Sequence, residues 1–166
     1  LDGTLGEIRN ESDTDLLASC TGTSSGASFK LINGANLITN GNFNNAGTLD
    51  LGTGYLGGTG NYSGISNSTL IIGSPEGISL IGDSGNIRKS GSRSYPETGK
   101  YFYAGSSPQV SGDGLPGTVH SLGLGNPSGL SLDSAITVMS HLMLLQGVLN
   151  VPLLTLGTDV SAADLS

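Results

Sequence analysis

Pairs of apolar residues two positions apart recur along most of the chain. Side chains at this spacing lie on the same face of a β-strand, so each pair predicts a short strand with one buried face. Gly, Asn, Ser and Asp, which favour turns, separate most of the pairs. The clearest pairs are Leu49/Leu51, Leu70/Ile72, Tyr101/Tyr103, Leu122/Leu124, Leu130/Leu132, Ile136/Val138, Leu142/Leu144, Leu149/Val151 and Leu154/Leu156.

The spacing of the pairs predicts a solenoid. Between residues 122 and 156 a pair recurs about every six residues, and three such faces would make a rung of roughly 18–20 residues. We therefore expect an all-β chain, folded as a right-handed parallel β-solenoid around a column of Leu, Ile and Val. The alternative is an antiparallel β-sandwich of the pilin type, completed by a strand from a partner. The short runs of alternation disfavour it, because hairpin strands usually need about five to six residues.

The pattern also suggests how the chain is divided. Residues 1–30 lack the pairs and are predicted to form an N-terminal cap or linker, whereas residues 31–166 form the solenoid. Only residues 11–19 could form a short helix, since Gly fills 28 of the 166 positions and disfavours helix interiors. A stretch that holds Arg88, Lys89 and Arg93 interrupts the pattern. Further inward-facing candidates are Phe43, Tyr55 or Leu56, Tyr62, Ile65, Ile78, Leu80 and Ile87.

Charge narrows the range of partners. Only 11% of the residues are charged, and 6 Lys and Arg stand against 13 Asp and Glu, which gives a net charge of −7. Binding to nucleic acid or to an anionic membrane surface requires clustered cations, so neither is expected. The most apolar stretch, residues 136–156, is interrupted by polar residues and Pro152, so we expect no membrane insertion.

No catalytic or cofactor motif stands out. His120, His141 and Cys20 are the only histidines and the only cysteine, and their spacing matches no metal-ligand pattern. We therefore expect a non-enzymatic protein without a cofactor, with weak Ca²⁺ binding at the turn of residues 111–114 as the one candidate. A carbohydrate-active β-helix enzyme, with acids brought together by stacked rungs, is the alternative. Its candidate acids are Asp50, Asp83, Asp113 and Asp133, which lie singly in the sequence, as turn residues do.

Six segments follow one another in a characteristic order: residues 40–52, 60–72, 85–88, 101–119, 122–132 and 146–151. The most specific of them contains QVSGDGLPGTV, residues 109–119. The succession resembles the repeats of very large cell-surface adhesin-like proteins of Bacteroidetes, many of them exported by the type IX pathway. In those repeats a tyrosine-rich strand is followed by an "aQVtGdGLP" segment and then by a "vnnLtinNpsGvtL" segment. The resemblance covers roughly residues 31–160, and His141, Met143 and Pro152 depart from it.

The resemblance implies an extracellular, non-enzymatic stalk, fibre or adhesin segment at the cell surface. An isolated solenoid end would expose unpaired strand edges, so the expected partners are copies of itself or neighbouring repeats, joined end to end. Surface glycans are further expected partners. Asp133, Ser134 and Ala135 resemble the O-glycosylation motif of Bacteroidetes surface proteins, which makes Ser134 the candidate modification site. No catalytic residues are carried over from the family.

Overall fold

The computed structural model describes residues 16–18, 22–31 and 34–160, and in this part of the chain all regular structure is β. No helix here is long and apolar enough to span a bilayer. The first nine strands are β1 (Leu16–Ala18), β2 (Gly22–Thr23), β3 (Ser28–Lys30), β4 (Leu37–Thr39), β5 (Phe43–Asn45), β6 (Thr48–Asp50), β7 (Leu56–Gly57), β8 (Tyr62–Gly64) and β9 (Thr69–Ile72). The other eight are β10 (Arg93–Ser94), β11 (Lys100–Tyr103), β12 (Gln109–Val110), β13 (Thr118–Gly125), β14 (Leu130–Ser131), β15 (Ile136–Gln146), β16 (Leu149–Asn150) and β17 (Leu154–Leu156).

The strands form four sheets in which every described pairing is parallel. Sheet A has the order β1-β4-β7, and sheet B the order β10-β8-β5-β2. Sheet C runs along the whole molecule in the order β17-β15-β13-β11-β9-β6-β3. Sheet D has the order β12-β14-β16. Because neighbours within each sheet lie about one turn apart in the chain, these sheets are the faces of a parallel β-solenoid of about seven turns.

The predicted solenoid is confirmed, and the antiparallel sandwich is wrong. Leu37 pairs with Leu56, 19 residues further on, and Tyr101 pairs with Leu122, 21 residues further on. These intervals agree with the predicted rung length. One turn is longer, since Leu70 pairs with Tyr101 after 31 residues.

The extra residues of the long turn begin a new face. Residues 73–86 leave sheet C, and Pro75 accepts a hydrogen bond from the backbone of Val110. Ile78 in turn donates its N–H to the carbonyl of Ser111. This segment therefore lies next to β12, the first strand of sheet D. The early turns contribute strands to sheets A, B and C, whereas the later turns contribute strands to sheet D and longer strands to sheet C, with a register shift between β13 and β15.

One continuous column of apolar side chains fills the solenoid. Alternate residues point inward in β9 and β11, where Leu70 and Ile72, and Tyr101 and Tyr103, are buried. Phe43 and Tyr62 stack with their ring centroids 6.5 Å apart. The main buried members are Phe29, Leu37, Leu49, Leu51, Leu56, Ile78, Ile87, Val119, Leu122, Leu124, Leu130, Ile136, Val138 and Leu142.

Amide side chains bind the backbone where the chain turns between faces. The Asn86 side chain is fully buried; its Oδ1 accepts from the N–H groups of Gly73 and Ser74, and its Nδ2 donates to the carbonyls of Gly52 and Gly54. At the corner between sheets C and D, Asn126 and Gln109 form a similar stack, in which Asn126 Nδ2 donates to Gln109 Oε1 at 2.9 Å. These side chains satisfy backbone groups that leave the sheet ladders at the corners.

Two of the cations that interrupt the sequence pattern lie inside the molecule. The Lys89 ammonium is fully buried and donates to Thr39 O at 2.7 Å and to Thr39 Oγ1 at 3.0 Å. Arg93 Nη1 donates to Ser79 Oγ at 2.7 Å. Lys89 therefore fastens the 31-residue turn to β4 and β7, whereas Arg93 ties residues together inside that turn.

Several detailed expectations need correction. Leu16–Ala18 is a strand paired with β4 and not part of a helix; the rest of residues 11–19, like Cys20, lies outside the described residues. Ile65 and Leu80 are exposed because they lie in turns. Strands β1, β2 and β3 fall within residues 1–30 and pair in the solenoid sheets, while the cap or linker boundary itself stays a prediction.

Candidate functional site

The outer face of sheet C carries two columns of side chains set by the strand register. Since Tyr101, Leu122 and Leu142 point inward, their chain neighbours point outward. Lys100 pairs with Ser121, and Ser121 pairs with His141, which forms the first column. The second column consists of Phe102, Gly123 and Met143. A groove with a volume of about 280 Å³ lies between the columns.

Two glycines of β13 make room for the Phe102 ring on the outer face of sheet C. A Cβ atom on Gly123 would overlap the ring of Phe102, and one on Gly125 would come within 3.0 Å of two of its ring atoms. The Phe102 ring therefore lies over β13, in space that only a residue without a side chain leaves open. This gives the groove a flat aromatic wall.

Two imidazoles lie on the opposite side. His120 lies at the bulge between β13 and β15, next to Ser121 of the first column. Its ring is stacked on that of His141, with the ring centroids 6.0 Å apart. Each Nδ1 lies 2.8 Å from a serine Oγ, that of Ser121 for His120 and that of Ser140 for His141. Burial, then the charge of Lys100 and the neighbouring His141, lower the pKa of His120.

Lys100 differs from the other cations that the structure describes. Within the described ranges, no carboxylate lies within salt-bridge distance of its ammonium, and no Asp or Glu lines the groove. The other four are paired: Lys30 with Asp50 at 2.9 Å, Arg88 with Glu76 at 4.0 Å, Lys89 with Thr39, and Arg93 with Ser79. The groove thus combines one uncompensated cation, two imidazoles and an aromatic ring.

No motif in the sequence joined Lys100, His120 and His141. The intervals between positions 100, 121 and 141 match the length of a turn, and they were the one sign that these residues lie side by side. The intervals identify neighbours only when the strand register is known, because the long turn and the bulge change the number of residues in a turn.

The predicted modification site lies elsewhere. Ser134 is exposed beside a second cavity of about 380 Å³, formed where the chain passes from sheet D to sheet C. Asp113 and Asp133 line the same cavity. Glycosylation of Ser134 stays a prediction.

The candidate acids of the enzyme alternative have separate roles. Asp50 pairs with Lys30 on sheet C, and Asp113 Oδ1 accepts the backbone N–H of Leu80 at 2.9 Å. Asp133 Oδ2 accepts from the Ser111 hydroxyl at 3.4 Å. Asp83 is exposed in the long turn. In the described part of the chain, no group of three or more His, Cys, Asp and Glu side chains could hold a metal ion, and weak Ca²⁺ binding at residues 111–114 stays a prediction.

A second surface of interest is the C-terminal edge, defined as residues 142–146 with Val148, Leu153 and Leu156. Strand β17 pairs only with Ile136–Val138 of the 11-residue β15, and the last bond in this register runs from Gly157 N–H to Val138 O at 2.7 Å. The described part of the chain contains no strand beyond residues 142–146 on this side. Large apolar side chains are exposed there: Met143, Leu144, Leu145, Val148, Leu153 and Leu156.

Comparisons with protein-family models, with curated proteins and with solved structures found no match for this chain.

Proposed function

We propose that this chain is a non-enzymatic structural segment of an extracellular stalk, fibre or adhesin at the cell surface. It associates end to end with neighbouring repeats or with copies of itself. The observation that carries the proposal is the C-terminal edge, where both the core column and the longest sheet end without cover in the described residues.

The continuous core supports a mechanical role. Each winding of a solenoid contacts only its neighbours, so stability grows with every winding added. Sheet C passes through seven strands, and buried apolar residues from Phe29 to Leu142 follow it. Such a stack transmits force along its axis through the packing of successive windings.

The C-terminal edge supports association. The predicted apolar pairs are buried as far as Leu142, whereas Leu144 and Leu156 are 38% and 40% exposed. An open strand edge with exposed apolar side chains is a template for a further strand, and one more winding would cover both features. We infer that such a winding comes from a neighbouring repeat or from a second copy.

The resemblance to surface adhesin repeats supports an extracellular location and a non-enzymatic role. Of the acids that the enzyme alternative would use, Asp50 is paired with Lys30, whereas Asp113 and Asp133 line one cavity.

The experiment compares the chain with a variant that carries Val148→Lys and Leu153→Lys together. These side chains are 65% and 60% exposed, so the fold should tolerate lysine while the added charges repel a docking winding. Light scattering over a concentration series should show association of the wild-type chain, and negative-stain microscopy should show end-to-end contacts.

The matched control is Ile81→Lys, since Ile81 is 76% exposed in the long turn, away from the C-terminal edge. We expect this variant to associate like the wild type and the double variant to remain monomeric. A wild-type chain that is monomeric at every concentration, or a double variant that still associates, would overturn end-to-end association.

A further inference from the structure

We propose that the groove on the outer face of sheet C binds a cyclic carboxylate, with the carboxylate at Lys100 and one face of the ring against Phe102. The groove lies on the outer face of sheet C and shares Met143 with the C-terminal edge, whereas Lys100 and Phe102 lie two windings away from that edge.

The first argument comes from charge. The protein has a net charge of −7, and four of its five described cations bind protein oxygens. Lys100 is the exception, and it lies beside both histidines of the chain. No core or corner contact requires these three side chains to gather on an outer face. A ligand with an oxyanion would supply the partner that Lys100 lacks, through a charge-assisted hydrogen bond.

The second argument comes from shape. The groove has a flat aromatic wall at Phe102, whose ring lies over Gly123, and an apolar side at Met143. Its volume of about 280 Å³ lies just below the range of small-molecule sites, about 300–1,000 Å³. A compact ring of one or two fused cycles suits this space, and its free face would remain hydrated because the groove is open to solvent.

The third argument comes from the polar groups. His120 and His141 each have a serine hydroxyl near Nδ1, so these hydroxyls fix the orientation of the imidazoles. No Asp or Glu of the described residues lines the groove, so none of them repels an anion there. The arrangement selects for a single negative charge beside a ring and gives no advantage to a neutral ring.

The experiment is a calorimetric or NMR titration of the chain with naphthoate, and with neutral naphthalenemethanol as the matched ligand. Glucuronate and glucose form a second pair, which distinguishes an aromatic source of the carboxylate from a sugar. We expect at least one carboxylate to bind about tenfold or more tightly than its neutral counterpart, the difference that one charge-assisted contact provides.

Two variants locate the contact. Lys100→Met keeps the aliphatic stem and removes the charge, so carboxylate affinity should fall about tenfold to the level of the neutral ligand. Lys30→Met is the control, since Lys30 is a lysine of the same sheet that is already paired with Asp50; binding should not change. Phe102→Leu should weaken both members of the pair that binds.

Either carboxylate binding with this dependence on Lys100 supports the proposal. Equal affinity for charged and neutral ligands, no binding of either carboxylate, or unchanged affinity in Lys100→Met would overturn it. Circular dichroism of each variant confirms that the fold is retained.

Discussion

Phe102 lies with its ring across Gly123, its register partner in the neighbouring strand. A methyl group at Gly123 would occupy the space of the ring, so the aromatic wall of the groove depends on a glycine in the next winding.

This relationship predicts the effect of Gly123→Ala. The added methyl should displace the ring and lower the free energy of unfolding by about 1–3 kcal/mol, the usual cost of overpacking. In a Phe102→Ala background the same change should cost much less, because the ring is gone. Denaturant unfolding of the two single variants and the double variant measures this coupling, and additive effects would contradict the overlap.

The Asn86 side chain joins the long turn to the preceding winding through four backbone groups. Asn86→Ala should lower the free energy of unfolding by about 2–4 kcal/mol, since buried donors and acceptors lose their partners. Asn86→Asp should cost at least as much, because a carboxylate cannot donate to the carbonyls of Gly52 and Gly54.

The control for this prediction is Asn40→Ala. Asn40 is exposed, and its Oδ1 accepts only a 3.4 Å hydrogen bond from Thr59, so thermal unfolding should change little. If the two alanine variants melted alike, the role of Asn86 as a corner anchor would be wrong.

The Lys89 ammonium lies where strands β4 and β7 of sheet A end, at Thr39 and Gly57. Lys89→Met removes the buried charge but leaves Thr39 O and Gly57 O without this donor. Because only one side of the interaction is replaced, we expect a loss of about 1–3 kcal/mol. Lys30→Met, which breaks a half-exposed ion pair, should cost below about 1 kcal/mol. Chemical denaturation of both variants tests the contrast.

Buried tyrosines predict unfolding at alkaline pH. Burial is the main cause that raises the pKa of Tyr62, Tyr95, Tyr101 and Tyr103 above the ordinary value of 10.0. A pKa raised in the folded state means that the unfolded chain loses these protons first, so their contribution to stability is complete below pH 10 and is lost as the pH rises beyond it. Tyrosinate absorbance at these positions should therefore increase together with the loss of the far-ultraviolet β signal.

The test of this coupling is a pH titration followed by both signals. Tyr103→Phe keeps the ring and removes one ionisable group, so its transition should lie at higher pH, offset in part by the loss of the hydrogen bond to Ser111. Ionisation of the four tyrosines well before the β signal changes would show that they are not buried as described.

The solenoid was predictable because its signal is local. Pairs such as Leu122/Leu124 fix both the strand and its inward face, and their recurrence fixes the length of a turn. The long turn was not predictable, since Ile78 and Ile87 continue the apolar pattern through it and only the pairing of Leu70 with Tyr101 reveals the extra residues.

The roles of individual polar side chains depend on which residues of other turns lie beside them, and this could not be predicted from the sequence. Lys89 and Arg93 interrupt the apolar pattern, and the sequence does not show that they are buried, because the carbonyl oxygens that bind a buried cation leave no mark in it. The groove was equally hidden, since Lys100 and His141 meet only after two complete turns have been counted correctly.

The described ends of the solenoid are unlike each other, because strands of sheets A, B and C lie at one end and strands of sheets D and C at the other. The three-residue β3 ends sheet C on one side, and the 11-residue β15 lies near its other end. A head-to-tail fibre of identical molecules would have to join outlines that do not match, whereas two molecules meeting through the same end would form a closed pair. Indefinite growth would then belong to neighbouring repeats whose outline matches the C-terminal edge, and isolated copies would stop at dimers.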